Sequence, residues 1–319
     1  MIDNDRGMDL AHLGHHGILT PTPAETLDYF VNLMGMDVVH EDGDSVYLRS
    51  FGDYEVWGLK ITAAEQAGLE YVSWRTKSSA GLKRRVEWLE ANGHAGRWVE
   101  GEFATGPMYE FQDPDGHNFR LYWETENYVA PEGKRPALPT NFQRYVGRGA
   151  NVRHVDHVNL LARDVKAARR FWEDGFNLRT YEIILQPDGV GEVGAWMSST
   201  IQGHELIYTQ DNSKTGRGRL HHFAYLVDNR EEVLRAADIM SDAQVYIEVG
   251  PSKHTAIQGF YLYTREPGGN RIEVAHMGYL WFDPSSEPYV WTMEHWQQKP
   301  GWGLKTPPEF NLYGTPDVE

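Results

Sequence analysis

Three residues in the second half of the chain, His157, His222 and Glu273, have side chains that could bind a divalent metal. Two neutral imidazoles and one carboxylate form the facial set that holds Fe(II) and leaves coordination positions open, and Mn(II) accepts the same ligands. Taken singly, each histidine is more often a hydrogen-bonded structural residue, and the glutamate could be a solvated strand carboxylate. The argument for a metal site therefore depends on where the three residues lie in the chain.

An internal repeat shows where the three candidate ligands lie relative to the two halves of the chain. Three pairs of segments match between the halves, namely 12–19 with 154–161, 68–74 with 219–225, and 113–121 with 266–274. The chain thus reads as a duplication of residues 10–130 and 151–280, joined by a connector rich in Pro, Gly and Arg at about 131–150.

The duplication allows the three candidate ligands to be compared with their counterparts. The aligned positions hold His157, His222 and Glu273 in the second half, and His15, Tyr71 and Arg120 in the first. A guanidinium is a permanent cation without a lone pair, so the first set cannot hold a metal ion. We expect a single metal site, in the second half. His221 adjoins His222, and strand alternation lets only one of them face inward; the repeat favours His222.

The elements that must position these residues follow from the same repeat. Each half contains two units of strand, helix and further strands, beginning near residues 14, 69, 156 and 220, with helices predicted at about 80–92 and 230–241. Each candidate ligand alternates with apolar neighbours, such as Val158, Phe223 and Ile272, that would pack beneath the helices. This pattern predicts an α+β fold whose helices cover the outside of curved sheets.

The amino-acid composition excludes several classes of protein. The 319 residues are 40% hydrophobic, enough for two ordinary domains, and carry a formal net charge of −16. An acidic surface argues against a nucleic-acid partner or an anionic membrane. Cysteine is absent, which excludes disulfides and thiol nucleophiles. Residues 1–9 lack the pattern of a signal peptide, and no apolar run approaches a membrane span, so we expect a cytoplasmic protein.

Four segments, 154–161, 220–224, 250–254 and 260–274, carry a family resemblance. At these residues the sequence resembles the type I extradiol dioxygenases of the vicinal oxygen chelate superfamily, particularly those that act on single-ring catechols. The resemblance covers nearly the whole chain, and the segment 260–274, with a tyrosine ten residues before the candidate ligand Glu273, is its most specific element.

The resemblance implies a fold and a reaction. The fold is a two-domain vicinal oxygen chelate fold, with four βαβββ modules in two incomplete barrels: a vestigial domain at 1–130 without metal, the connector at 131–150, and a catalytic domain at 151–280. The aromatic, Pro- and Gly-rich composition of the tail at 281–319 predicts that the tail covers the site. The reaction is cleavage of a catechol or alkylcatechol by dioxygen, beside the two hydroxyl groups, to a 2-hydroxymuconic semialdehyde. We also expect a homo-oligomer.

The resemblance also implies roles for residues outside the ligand set. His204 matches the family's acid–base histidine that acts beside dioxygen, and His254 and Tyr263 match the pair that hydrogen-bonds the catechol oxygens. Trp196 and Asn159 are expected to line the substrate pocket. The aromatic side chains of the tail are expected to cover its mouth: Trp281, Phe282, Trp291, Trp296 and Trp302.

The sequence departs from part of the family at the position of one arginine, which affects the predicted substrate. Two alternative functions also remain possible. Relatives that act on carboxylated catechols have an arginine shortly before the loop histidine, whereas residues 248–253 contain none, so an uncharged catechol is favoured unless Lys253 substitutes. The alternatives are a glyoxalase-like isomerase, and a non-catalytic binding protein of the bleomycin-sequestering kind, which would hold no metal.

Overall fold

The structure is a computed structural model that describes residues 9–276, 278–298 and 302–318. The sequence-based prediction for the first eight residues lies outside this range. The elements of the first half are β1 (Leu10–Thr20), α1 (Pro23–Asp28), β2 (Asp37–Asp42), β3 (Ser45–Arg49), β4 (Leu59–Ala63), β5 (Gly68–Thr76), α2 (Ser79–Ala91), β6 (Arg97–Val99), β7 (Met108–Gln112) and β8 (Asn118–Tyr122).

The second half repeats this order and adds a tail. Its elements are β9 (Val155–Ala162), α3 (Val165–Phe176), β10 (Arg179–Leu185), β11 (Glu192–Ser198), β12 (Leu206–Gln210), β13 (Arg219–Leu226), α4 (Arg230–Asp242), β14 (Ile247–Lys253), β15 (Phe260–Arg265), β16 (Arg271–His276), β17 (Tyr289–Trp291) and α5 (Met293–Gln298). A π-helical turn, Tyr29–Leu33, continues α1, and short 3₁₀ turns occupy Glu132–Lys134 and Pro308–Asn311.

The four predicted modules are present, each with the order strand, helix and three strands. They form one sheet of order β2-β3-β4-β1-β5-β8-β7-β6 and one of order β14-β15-β16-β13-β9-β12-β11-β10-β17. Within the described residues the end strands of each sheet do not pair with each other, so both barrels are incomplete. The α+β class and the module count are confirmed. The exact domain boundaries stay a prediction, although the strands of the two sheets lie within 10–122 and 155–291.

The helices form where local sequence favours them. Asp164 caps α3 by accepting a hydrogen bond from the backbone N–H of Ala167 at 2.9 Å, and Asn177 ends the helix in the left-handed conformation, with φ 56°. Asn229 caps α4 in the same manner, accepting from Glu232 at 2.9 Å. These caps orient each helix at the point where it leaves its strand, so that its apolar face packs on the sheet.

The core is continuous across the two halves. Val158, Phe223 and Ile272, the apolar neighbours of the candidate ligands, belong to one hydrophobic cluster that also contains residues of the first half, such as Trp74. Buried hydrogen bonds join the halves as well, including Tyr29 Oη with Thr264 Oγ1 at 2.7 Å. The three strands that carry the candidate ligands, β9, β13 and β16, therefore pack on the hydrophobic core through their opposite face. No helix in the described ranges is long and apolar enough to cross a membrane.

Candidate metal centre

Three adjacent strands bring the candidate ligands together. Strand β13 lies between β9 and β16, and its residue Ala224 pairs with His157 on one side and with Glu273 on the other. His222 lies two residues before Ala224, so its side chain emerges on the same face of the sheet. The parity predicted from the sequence therefore holds, and the three side chains share one interior face.

The donor atoms of the three residues converge. His157 Nε2 and His222 Nε2 lie 3.0 Å apart, and Glu273 Oε2 lies 3.2 Å from the first and 3.1 Å from the second. All three residues are at most 3% exposed. Glu273 Oε2 makes no hydrogen bond of good geometry among the described residues, although both imidazole nitrogens lie within 3.2 Å, so this buried oxygen is left available to a cation. The donor set fits a divalent metal with three protein ligands.

Burial and mutual contacts shift the pKa values of the three candidate ligands. Burial alone would raise the pKa of Glu273, but contacts with His157 and His222 lower it well below its usual range, so the carboxylate stays ionised. Burial lowers the pKa of His222 to about 4. The opposite holds for His157, where burial is outweighed by bonds to Asp156 and Glu273 that raise the pKa to about 9.

Asp156 orients the first histidine ligand. His157 Nδ1 donates a hydrogen bond to Asp156 Oδ2 at 2.7 Å, which leaves Nε2 as the atom available to a metal. Gln202 Nε2 donates to Asp156 Oδ1 at 2.9 Å and so holds the carboxylate in place. The residue next to a ligand thus supplies the carboxylate that sets the ligand's tautomer, a role that sequence reasoning missed although the Asp–His pair itself was visible.

His204 lies against the same ligand. Its ring centroid is 4.2 Å from that of His157, and its Nδ1 is buried without a hydrogen-bond partner among the described residues. Its Nε2 is 3.9 Å from Asp156 Oδ2, too far for a hydrogen bond. Burial, helped by the neighbouring His157, lowers the pKa of His204 to about 3. The structure therefore places a neutral imidazole with an unused nitrogen beside the ligand set.

His254 and Tyr263 lie on the other side of Glu273. Tyr263 and Glu273 are paired residues of β15 and β16, so their side chains share a face. Tyr263 Oη and His254 Nε2 lie 3.1 Å apart, within hydrogen-bond distance, and the same nitrogen lies 3.3 Å from Glu273 Oε1. The side chain of His254 is 32% exposed, whereas the whole of Tyr263 is 2% exposed. One member of the predicted pair is therefore open to an incoming ligand and the other supports it from within.

The two residues predicted to line the pocket differ in their surroundings. Asn159 lies two residues after His157, pairs with His222, and accepts a hydrogen bond from Thr209 Oγ1 at 3.1 Å. Trp196, on β11, instead faces Trp296 of the tail, with ring centroids 6.3 Å apart. Neither Trp196 nor Asn159 belongs to the residues that line the cavity beside His254.

That cavity has a volume of about 420 Å³ and is lined partly by the tail. Aromatic side chains make up half of its wall: Tyr279, Trp281, Tyr289, Trp291 and Trp302. Among the described residues, its ionisable side chains are Glu182, Lys253 and His254. Of the other tail aromatics expected at the mouth, Phe282 is 74% exposed and is not part of this wall.

The equivalent face of the first half has a different chemistry. Tyr71 Oη donates to Glu102 Oε2 at 2.7 Å, and Arg120 forms ion pairs with Glu102 at 2.8 Å and Glu110 at 3.0 Å. His15 lies 2.5 Å from Glu55. Within residues 9–276, 278–298 and 302–318, both clusters with metal-binding geometry contain His157, and neither contains a residue of the first half.

Known proteins resemble this chain over most of its length. Residues 154–274 match the Glyoxalase/Bleomycin resistance protein/Dioxygenase superfamily. The chain is 35% identical to a metapyrocatechase of Geobacillus stearothermophilus, over 97% of this chain and 94% of the relative. It is 35% identical to a manganese-dependent 2,3-dihydroxybiphenyl 1,2-dioxygenase of Geobacillus genomosp. 3, over 90% of this chain and 91% of the relative. The crystal structure of the 2,3-dioxygenase LapB from Pseudomonas sp. KL28 superposes with a TM-score of 0.82 at 26% identity, covering 90% of this chain and 99% of LapB.

Proposed function

Because the chain belongs to the extradiol dioxygenases of the Glyoxalase/Bleomycin resistance protein/Dioxygenase superfamily, we propose that it cleaves the ring of a single-ring catechol with dioxygen. The cleaved bond lies beside the two hydroxyl groups, and the product is a 2-hydroxymuconic semialdehyde. The observation that carries the proposal is the convergence of His157 Nε2, His222 Nε2 and Glu273 Oε2 within 3.0 to 3.2 Å of one another.

The proposed cofactor is Fe(II), with Mn(II) as the alternative. When bound, the metal would coordinate the catechol oxygens and dioxygen together and lower the pKa of the catechol hydroxyls. The donor set suits both metals, and one of the relatives is manganese-dependent by name. Glu273 supplies the negative charge, while Asp156 holds His157 with Nε2 directed at the shared position.

His254 and Tyr263 are proposed to bind the substrate. The partly exposed His254 Nε2, 3.1 Å from Tyr263 Oη and 3.3 Å from Glu273 Oε1, lies where a catechol oxygen would approach the ligand set. Tyr263 Oη would then donate to that oxygen or hold the imidazole that does. Both groups position the diol, and positioning converts an encounter in solution into a reaction between fixed neighbours.

His204 is proposed to move the proton. Its Nδ1 is buried and without a partner among the described residues, and its neutral ring lies against His157. A neutral imidazole carries one N–H donor and one acceptor nitrogen, so it can donate a hydrogen bond to an oxygen atom that gains negative charge and take part in proton transfer. Asn159 is proposed to line the same face. Trp196 lies against Trp296 of the tail, so we propose that it affects the site only through the tail.

A second candidate substrate is an aryl-substituted catechol. The cavity of about 420 Å³ beside His254 exceeds what one catechol ring needs, and five aromatic side chains line it. Such a wall would stack against a second ring. The described part of the wall disfavours a carboxylated catechol, because it offers one lysine, Lys253, and also contains the buried carboxyl group of Glu182, which would repel a second negative charge.

The proposal is tested by metal analysis and by turnover. Purified protein, reconstituted without oxygen with Fe(II) or with Mn(II), should retain about one metal per chain. It should then consume oxygen and form a yellow product with catechol, with methylcatechols or with 2,3-dihydroxybiphenyl. Protein that retains one metal per chain but consumes no oxygen with any of these diols would contradict the proposed reaction. Cytoplasmic location and self-association stay predictions, and light scattering of the purified protein tests the second.

A further inference from the structure

A β-bulge at His221 places two consecutive histidines side by side. Leu220 pairs with Leu160 and His222 with Asn159, so two steps along β13 correspond to one step along β9. The additional residue, His221, departs from the strict alternation of a strand, and bulges of this kind redirect side chains near functional sites. His221 is 1% exposed, and its Nδ1 lies 2.6 Å from Nδ1 of His222.

The same bulge exists in the first half, where the residue is different. Gly17 pairs with Tyr71 and Ile18 with Leu69, which leaves Glu70 as the additional residue of β5. Glu70 there accepts hydrogen bonds from Lys60 at 2.7 Å and Thr62 at 2.8 Å. The bulge is therefore a property of the duplicated fold, and only the half with the candidate metal site has an imidazole at it.

The contact between His221 and the backbone oxygen of Phe310 determines which nitrogens of His221 and His222 carry protons. His221 Nε2 lies 3.0 Å from the backbone oxygen of Phe310, in the tail. A carbonyl oxygen can only accept, so His221 Nε2 carries the proton, and in the neutral ring Nδ1 is then the acceptor. His222 Nδ1 must donate to it, which leaves His222 Nε2 with a free lone pair for a metal, 3.1 Å from Glu273 Oε2 and 3.0 Å from His157 Nε2.

From this chain of contacts we propose that the C-terminal segment 302–318, through the Phe310 carbonyl and His221, fixes the tautomer and orientation of the metal ligand His222. His221 is then a positioning residue that acts through His222. The inference deepens the proposed metal site and rests on it. It gives the tail a function besides covering the cavity, since the tail supplies a hydrogen-bond acceptor to the residue behind a ligand.

The tail is anchored well enough for this function. Arg271, which is fully buried, donates from Nη2 to the Phe310 oxygen at 3.1 Å and from Nη1 to the Tyr313 oxygen at 3.2 Å. Thr315 pairs with Leu220 through two backbone hydrogen bonds of 2.8 Å. The Phe310 carbonyl is therefore held against His221 by the Arg271 guanidinium and by the pairing of Thr315 with Leu220. Leu220 is the residue that directly precedes the bulge.

The test measures metal affinity by competition with a chromophoric chelator, using Fe(II) and Mn(II) separately. His221→Phe keeps a planar ring but removes both nitrogens, and loss of such an outer partner typically weakens metal binding about 10- to 100-fold. His221→Asn retains an oxygen close to the position of Nδ1, so we expect affinity within about threefold of the original chain. The matched control is His16→Phe, because His16 is also 1% exposed and loses one buried hydrogen bond, to Tyr225 Oη at 2.7 Å. Its metal affinity should not change.

Deletion of residues 308–319 tests the tail directly. It should weaken metal binding about as much as His221→Phe, and little more when the two changes are combined, because both break the same chain. Additive losses, unchanged affinity in His221→Phe, or equal affinities for the Phe and Asn variants would each overturn the inference. If the shortened protein does not fold, the Phe and Asn pair decides alone. If the unaltered chain binds neither metal, the proposed metal site is itself wrong.

Discussion

Replacing His204 with phenylalanine separates metal binding from proton transfer. The substitution keeps a planar ring of similar width against His157 and removes both nitrogens. His204 Nδ1 has no partner among the described residues, and Nε2 is 3.9 Å from the nearest carboxylate oxygen, so no hydrogen bond is lost. Exchange of an unpaired buried polar group for an apolar one is nearly neutral or stabilising, so we expect a change in unfolding free energy below about 1 kcal/mol.

The rate should respond very differently. Loss of a positioned acid–base group costs about 10²- to 10⁴-fold, equivalent to roughly 2.7–5.4 kcal/mol in the barrier. Metal content should stay at that of the unaltered protein, because His204 is not among the converging ligand atoms of His157, His222 and Glu273. Anaerobic binding of catechol should also be retained. Oxygen taken up without ring cleavage should appear as hydrogen peroxide, with the catechol giving up two electrons and two protons to become the ortho-quinone.

The measurements are metal analysis, anaerobic titration with catechol, oxygen uptake and peroxide detection on one preparation. Turnover at the original rate would mean that His204 is only structural. Loss of metal from this variant would mean that a ligand has been misassigned, since His204 also lies within reach of Asp156 and His157. A fall in thermal stability of several degrees would refute the reasoning about its unpaired nitrogens.

The remaining predictions concern the ligands, the substrate and the metal. Glu273→Gln should abolish metal retention while the fold remains, because Ile272 and Val274 stay in the core; retention of the metal, or metal bound at His15, would contradict the assignment. Tyr263→Phe removes one hydrogen bond worth about 0.5–1.5 kcal/mol, so steady-state turnover should fall about tenfold or less. Catechol and methylcatechols should be cleaved faster than homoprotocatechuate, and equal or faster oxygen uptake with the carboxylated compound would refute the inference from the missing arginine. Chelation should lower the melting temperature, and free metal at 100 times its dissociation constant should restore about 2.7 kcal/mol, measured by thermal unfolding with and without metal.

The sequence by itself predicted the module order, which the structure confirms, and the candidate ligand set, which stays a prediction. Strand parity and residue type are local properties, so the repeat could select His157, His222 and Glu273 as candidate ligands and reject Arg120 before any fold was known. The helices predicted at about 80–92 and 230–241 are observed at Ser79–Ala91 and Arg230–Asp242, because caps and apolar spacing are also local. The roles assigned by resemblance, to His204 above all, stay predictions that the geometry supports.

Tertiary structure decided what surrounds the ligands. The alternation rule assigns His221 to the face opposite His222, and only the pairing of β13 with β9 reveals the bulge that brings their Nδ1 atoms to 2.6 Å. The partner of His221 is a backbone carbonyl 89 residues away, and every residue type has such a carbonyl, so no sequence pattern marks it. Trp196 likewise turns to the tail because the packing of α5, and not the spacing from His204, determines its neighbour. Residue types thus predict which residues bind the metal, whereas the register of the sheet and the path of the tail determine how those candidate ligands are held.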